Sequence, residues 1–341
     1  MNNTMPIDIY HKGWTKPEYF NAFREAVKSG DCHDISKSVN AEGAERKPVD
    51  AYVNAMRLPR QPSGSMPILS EIMTDERRAE LELTYELSKQ RDDKISNMPD
   101  SLPLGMREVS LFLEDQKVPR YAKGKDYVTT EKQYKEVIEG KTTKKITRGP
   151  VKNIVTLRDG CSYVHSDSPF ELWGKVVDLL LEWGVPQRLQ SRINDHDGQG
   201  QSRFTVYGSP FMHGLIGYAI LMAGPVSFAA KWKDMVARPE QLCFEWLNML
   251  LSQAYPEGSP MHPSRPAMHS FAALVCCYVL TELFDEFYEL PNGRQLGAEL
   301  RLLADNVGYF RVFAGVHYPS DHDDAVELAK ATAHTVVRGF I

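Results

Sequence analysis

Ser168-Pro-Phe-Glu-Leu-Trp-Gly-Lys-Val-Val-Asp-Leu-Leu-Leu-Glu-Trp-Gly184 is the stretch that decides the fold class. Ser168 and Glu171 have the spacing of a capping box, in which each side chain satisfies a backbone N–H left open by the first helical turn. Pro169 fits the first helical position, because it has no N–H to lose there. Gly184 fits a stop, since glycine enters the left-handed region without a Cβ clash. Between cap and stop, Trp173, Val176, Val177, Leu180 and Leu181 recur at the period of one helix face. The spacing predicts an amphipathic helix that needs a partner surface.

The same grammar extends in both directions. Upstream, Leu81 with Tyr85 and Leu83 with Leu87 mark a helix over Thr74 to Gln90. Thr15 and Glu18 cap a helix from Lys16 to Ser29 that stops at Gly30. The proline-rich run from Leu58 to Pro67 reads as an extended connection. Residues 1–65 are therefore expected to be a peripheral N-terminal segment and 66–341 a helical domain. Downstream, further helices are expected at 211–236, 240–253, 266–288, 297–314 and 321–339. Strand signals are few, and nothing alternates as βαβ. The fold class is mainly α, a helical bundle with long connections between its helices.

Of the 341 residues, 42% are hydrophobic and 25% charged, enough for a packed core and ordinary for a globular chain. The formal net charge of -5 lacks the basic excess of a nucleic-acid binder. The basic run Lys141 to Arg148 is interrupted by threonines and reads as a solvated loop. The cysteines Cys32, Cys161, Cys243, Cys276 and Cys277 are odd in number and form no CxxC pair, which argues against a disulfide framework or a structural zinc site. The start shows no apolar secretory core, so a cytoplasmic setting is expected. Phe211 to Ala230 is apolar but holds His213 and Pro225, and reads as a buried helix rather than a membrane span.

Three segments carry the chemistry. In the first, Lys231 and Arg238 stand seven apart before Pro239, which is expected to end a helix with both cations on one face. The second, Pro256 to His269, is a proline-rich loop running into an apolar helix. Pro266 suits that helix's first turn, so backbone N–H groups near Met268 and His269 would point at whatever sits there. The third runs from Arg311 through His317 to Asp321. Asp321, four after His317, can accept one imidazole N–H and leave the other nitrogen to attack or ligate. Permanent cations, a helix N-terminus and two histidines suit a small multiply charged oxyanion.

These segments resemble the signature of the acid phosphatase and vanadium haloperoxidase superfamily, and more closely its bromoperoxidase-type members. The similar runs are EGSPMHPS (Glu257 to Ser264), LPNG (Leu290 to Gly293), LADN (Leu303 to Asn306) and AGVHYPSD (Ala314 to Asp321). Weaker similarity lies in GKDYVTT (Gly124 to Thr130) and LRDGCSYVHSD (Leu157 to Asp167). The resemblance implies a helical bundle of that type and a vanadate cofactor, with phosphate able to occupy the same site. It implies that Lys231, Arg238 and Arg311 bind equatorial oxygens, that His317 is the axial metal ligand, that His269 is the acid–base residue and that Met268 lends its N–H. Lys231 is then the cation that polarises peroxide. Hydrogen peroxide and a halide, bromide above all, would be the substrates, with a small organic acceptor and a homo-oligomer as further expectations.

The family's loop usually reads Ser-Gly-His, whereas this chain has Ala267-Met268-His269. Ala267 lacks a hydroxyl that would bond an equatorial oxygen, and Met268 fills space that glycine leaves open. An extra histidine between the Lys and Arg is also absent, with Met235 nearby. The readings are thus a haloperoxidase, a phosphatase with His317 as nucleophile, or a non-halogenating or catalytically silent anion-binding homologue. Glu240 is expected to hold Arg238 in place. His262 is expected either to line the pocket or to serve structure. His165 and His213 read as structural, His322 and His334 as exposed helix positions.

Overall fold

A computed structural model describes residues 74–138, 146, 148–166, 169–185, 208–234, 236–260, 262–284 and 286–340. The segment 1–65 with its expected helix, the 65/66 boundary, Ser168, Met235 and most of the basic run from Lys141 lie outside the described residues. The elements, in chain order, are α1 (Asp75–Lys89), α2 (Leu111–Glu114), β1 (Lys117–Tyr121), α3 (Glu131–Ile138), β2 (Arg148–Asn153), α4 (Leu157–Ser166), α5 (Pro169–Glu182), α6 (Ser209–Asp234), α7 (Pro239–Leu247), α8 (Met268–Leu283), α9 (Leu296–Phe313), α10 (Ser320–Asp323) and α11 (Val326–Phe340). The fold is mainly α, as the sequence predicts. β1 and β2 add one small antiparallel pair at its edge.

Helix α8 is the axis of the bundle. Ser270 through Cys277 are buried without interruption, along with Val279 and Leu280. A helix apolar on every side has to be surrounded, and α5, α6, α9 and α11 surround it. Helix α9 packs on α8 with one face and on α4, α1 and α2 with others. Its buried polar residues act as braces. The Asn306 amide donates to Gly105 O at 2.8 Å and Glu108 O at 2.7 Å, and accepts from Ser110 N–H at 2.8 Å. These bonds satisfy backbone groups of the loop before α2 that packing removes from water.

Several boundaries differ from expectation. Helix α7 stops at Leu247, because Asn248 adopts the left-handed conformation (φ 52) and turns its N–H back to Cys243 O. The helix expected at 321–339 is split into α10 and α11. Helix α6 is buried on one face only: Leu221 is 67% exposed. Its Ser209–Lys231 portion is long and apolar enough to cross a membrane, and 39% of that window is buried in the bundle.

Candidate oxyanion-binding site

Lys231 and Arg238 do not share a helix face. Helix α6 ends at Asp234, and Arg238 is the residue before α7, with Pro239 at the first helical position. The two cations meet because both grip one loop. Lys231 Nζ donates to Pro263 O at 2.8 Å and Ser264 O at 2.9 Å. Arg238 Nε donates to His262 O at 2.9 Å, and its Nη1 donates to Val316 O at 2.7 Å. The loop is itself pinned by Ser264 N–H donating to Val236 O.

His317 is delivered by the turn that follows α9. Gly315 sits at φ +84, and a Cβ there would lie 2.7 Å from Ser252 O. No side chain fits that turn without displacing backbone. Beyond it, His317 Nδ1 pairs with Asp321 Oδ2 at 2.7 Å. The same carboxylate oxygen accepts from Ser264 Oγ and from Tyr318 N–H. A carboxylate facing Nδ1 assigns the proton there, which leaves the Nε2 lone pair to accept from Arg238 Nη1 at 2.9 Å. The expected Asp321–His317 pair is present, and it leaves Nε2 as an acceptor.

Arg311, in the last turn of α9, is 4% exposed. Its Nη1 donates to Val164 O and to Tyr255 Oη, both at 3.3 Å, and its Nε has no hydrogen-bond partner among the described residues. The guanidinium lies over the Tyr255 ring, 5.3 Å from its centre. His165 stacks on Tyr255 at 3.9 Å between centroids and bonds Tyr121 and Glu257 through its two nitrogens. His165, expected to be structural, is thus tied to α4's neighbours through both ring nitrogens.

His269 stands in the first turn of α8. Pro266 lies two residues before the first helical position rather than in the first turn, since Ala267 is the N-cap and makes no side-chain capping bond. Ala267 N–H donates to Asp321 O at 3.0 Å, tying the helix start to the His317 turn. The Met268 side chain reaches α6, where its methyl would lie 3.6 Å from a Cβ on Gly224.

The electrostatics of the cluster are one-sided. Lys231 is fully buried and Arg238 is 2% exposed. Among the described residues, none of Lys231, Arg238 and Arg311 has a carboxylate within 4.0 Å. Burial, then the Arg238 charge, pushes the Lys231 ammonium well below its ordinary value. Burial lowers Arg238 to about 10. Burial and then Arg238, Lys231 and Arg311 hold His317 far below the usual histidine range. Burial followed by Arg311, His165 and Lys231 brings His269 down to about 3. The contacts of Lys231 and Arg238 with the 262–264 loop, of Arg238 with His317, and of Ala267 N–H with Asp321 O bring the three sequence segments to one locus.

The flanking residues sort differently. Glu240 is buried, accepts from Ser259 Oγ at 2.6 Å, and acts on Arg238 through its charge rather than by direct contact. His262 touches Arg238 Nη2 at 3.1 Å and packs edge-on to Phe228. His322, expected on an exposed helix position, is fully buried between α8 and α9. Tyr255 and Ser264 join the site although the sequence reading does not single them out. A signal for both is present: Tyr255 adjoins the proline-rich loop, and Ser264 lies within it.

This donor set suits an anion. Among the described residues no cluster of three His, Cys, Asp or Glu could hold a metal cation. The converging groups are cations, one imidazole lone pair and a helix N-terminus, and Arg311 Nε is an orphaned buried donor. The site is a cationic cradle around a histidine, enclosed in a helical bundle.

No family model matches the chain. Two curated relatives, the vanadium-dependent bromoperoxidases of Corallina officinalis and Corallina pilulifera, are each 32% identical over a segment covering 25% of this chain and 17% of theirs. The chain therefore matches less than a fifth of those relatives' length. The solved homohexameric vanadate-dependent bromoperoxidase of Ascophyllum nodosum superimposes with a TM-score of 0.67 over 97% of this chain and 77% of that one, at 16% identity. The fold is that of a vanadium bromoperoxidase, and a segment of the chain is similar in sequence to curated bromoperoxidases.

Proposed function

We propose that the chain is a vanadate-dependent haloperoxidase-like enzyme that oxidises bromide with hydrogen peroxide. The observation that carries this reading is the set of buried cations, without carboxylate partners among the described residues, around the Asp321-held His317. In this reading Lys231, Arg238 and Arg311 would hold the oxygens of the anion, and His317 would hold its metal. The Met268 N–H, at the start of α8, adds a neutral donor. His269, neutral in this environment, accepts a proton from incoming peroxide, and Lys231 stabilises the charge that develops on it. Vanadate, when bound, supplies a Lewis acid that activates peroxide. The curated relatives, named as bromoperoxidases, support the choice of halide.

Ala267 favours a second reading, a homologue that binds the anion but halogenates little, because position 267 offers no side-chain donor. Vanadate-loaded protein assayed for peroxide- and bromide-dependent halogenation tests both. The expected result is vanadium retained through dialysis and halogenation that falls at least ~100-fold in His317→Ala. Retention without halogenation supports the silent homologue. Phosphate-ester turnover that depends on His317, without halogenation, supports a phosphatase. Neither retention nor turnover at any pH rejects the oxyanion site.

A homo-oligomer is part of the proposal. The structural relative is described as homohexameric, and the outward face of α6 around Leu221 is apolar and uncovered by the described residues. Light scattering on the purified chain measures this, and a monomer would count against it.

A further inference from the structure

His322 is a fully buried imidazole that the proposed chemistry does not use. Its Nε2 pairs with Asp305 Oδ1 at 2.7 Å, and its Nδ1 pairs with Ser270 Oγ. The Tyr309 ring meets it edge-on, 5.0 Å between centroids. Gly308 makes room for it: a Cβ at that position would stand 2.4 Å from His322 Nδ1. Asp305 also accepts from Arg301 Nε at 2.7 Å, and Arg301 Nη1 donates to Tyr278 Oη at 2.9 Å, so the network returns to α8.

Ser270, His322 and Asp305 have the composition of a hydrolytic triad, but they cannot act as one. Both Ser270 and His322 are fully buried, with no room for a substrate. Their neighbours give the network its meaning. Ser270 follows His269 on α8, His322 follows Asp321 on α10, and Asp305 lies on α9 six residues before Arg311. One imidazole therefore joins the three elements that carry His269, His317 with its Asp321, and Arg311.

We propose that His322, seated in the gap left by Gly308, is a positioning residue that sets the mutual placement of His269, Arg311 and His317 in the oxyanion site. The role acts through hydrogen bonds to two other helices, which fix orientation in a way apolar packing does not. It rests on the oxyanion reading of the site.

The test compares His322→Phe, which keeps a ring but no hydrogen bonds, with Gly308→Ala, which displaces the ring while leaving its partners in place. Asp305→Asn keeps the shape and a neutral acceptor. Leu274→Ala, at a fully buried apolar position on α8, controls for lost stability alone. Vanadate dissociation constants and the His317 Nδ1 proton resonance are measured for each. The expected outcome is a dissociation constant raised at least ~10-fold in His322→Phe and Gly308→Ala, with Asp305→Asn and Leu274→Ala within about twofold of the unaltered chain. Unchanged affinity in the first two overturns the proposal, and so does an equal loss in Leu274→Ala. Should the unaltered protein bind no vanadate, the oxyanion reading fails by itself. The positioning role is then decided by the His317 resonance: displacement in both variants sustains it, and no displacement overturns it.

Discussion

At the scale of single residues, Ala267 decides whether the start of α8 offers a bound anion a side-chain donor. It caps α8 without a side-chain bond and is buried. Serine has nearly the same volume, so Ala267→Ser is expected to enter without strain. Its hydroxyl has two competing uses. As an N-cap it would accept from a first-turn N–H and stabilise the helix by about 1 kcal/mol. As a donor to a bound oxyanion it would contribute roughly 1.5–3 kcal/mol, tenfold or more in affinity. The hydrogen bond to the anion is the stronger of the two, so Ala267→Ser is expected to tighten vanadate binding at least ~10-fold in equilibrium dialysis. A raised melting temperature with unchanged affinity would show that the helix had captured the hydroxyl instead.

At the scale of elements, the site depends on where helices end. Helix α9 ends just before Gly315, whose backbone turns His317 toward Arg238. Gly315→Ala combines a left-handed backbone with a Cβ 2.7 Å from Ser252 O. It is expected to cost about 1–3 kcal/mol in urea unfolding and to weaken vanadate binding, because the displaced turn carries His317. Unaltered unfolding and binding would mean the turn relaxes freely. The same dependence explains what is legible in the sequence. The apolar stripes of α5 and α8 have one physical solution, burial, and the helices form where the stripes place them. The pairing of Asp321 with His317 is legible because four residues is a short reach. The meeting of Lys231 and Arg238 reads in sequence as one helical face, since nothing in their spacing shows that α6 stops at Asp234. His322 reads as exposed because the space that receives it, at Gly308, is made by a different helix. Contacts between distant elements leave no periodicity to read.

At the scale of the whole molecule, the bundle confines positive charge in its interior, and that burden sets how stability responds to acid. Burial and the cations push His269 down to about 3 and hold His262 and His317 well below the ordinary histidine value. In the unfolded chain each titrates near the ordinary value of about 6.5. The folded state thus binds fewer protons, and protonation favours unfolding. The stabilisation is present above pH ~6.5 and is lost as pH falls from there; for His269 the loss runs on toward pH ~3 and reaches about 2 kcal/mol by pH 5. A bound oxyanion changes the balance, since negative charge beside these groups favours their protonated forms and raises their pKa values. Urea midpoints are therefore expected to fall between about pH 7.5 and pH 5 for the anion-free protein, and to fall less with saturating vanadate or phosphate. His269→Gln should flatten the anion-free slope. Calorimetric titration with vanadate in two buffers of different ionisation enthalpy should show proton uptake on binding. Equal midpoints at the two pH values would mean that the buried histidines do not carry the acid sensitivity. A slope that the anion leaves unchanged would mean that it binds elsewhere than among them.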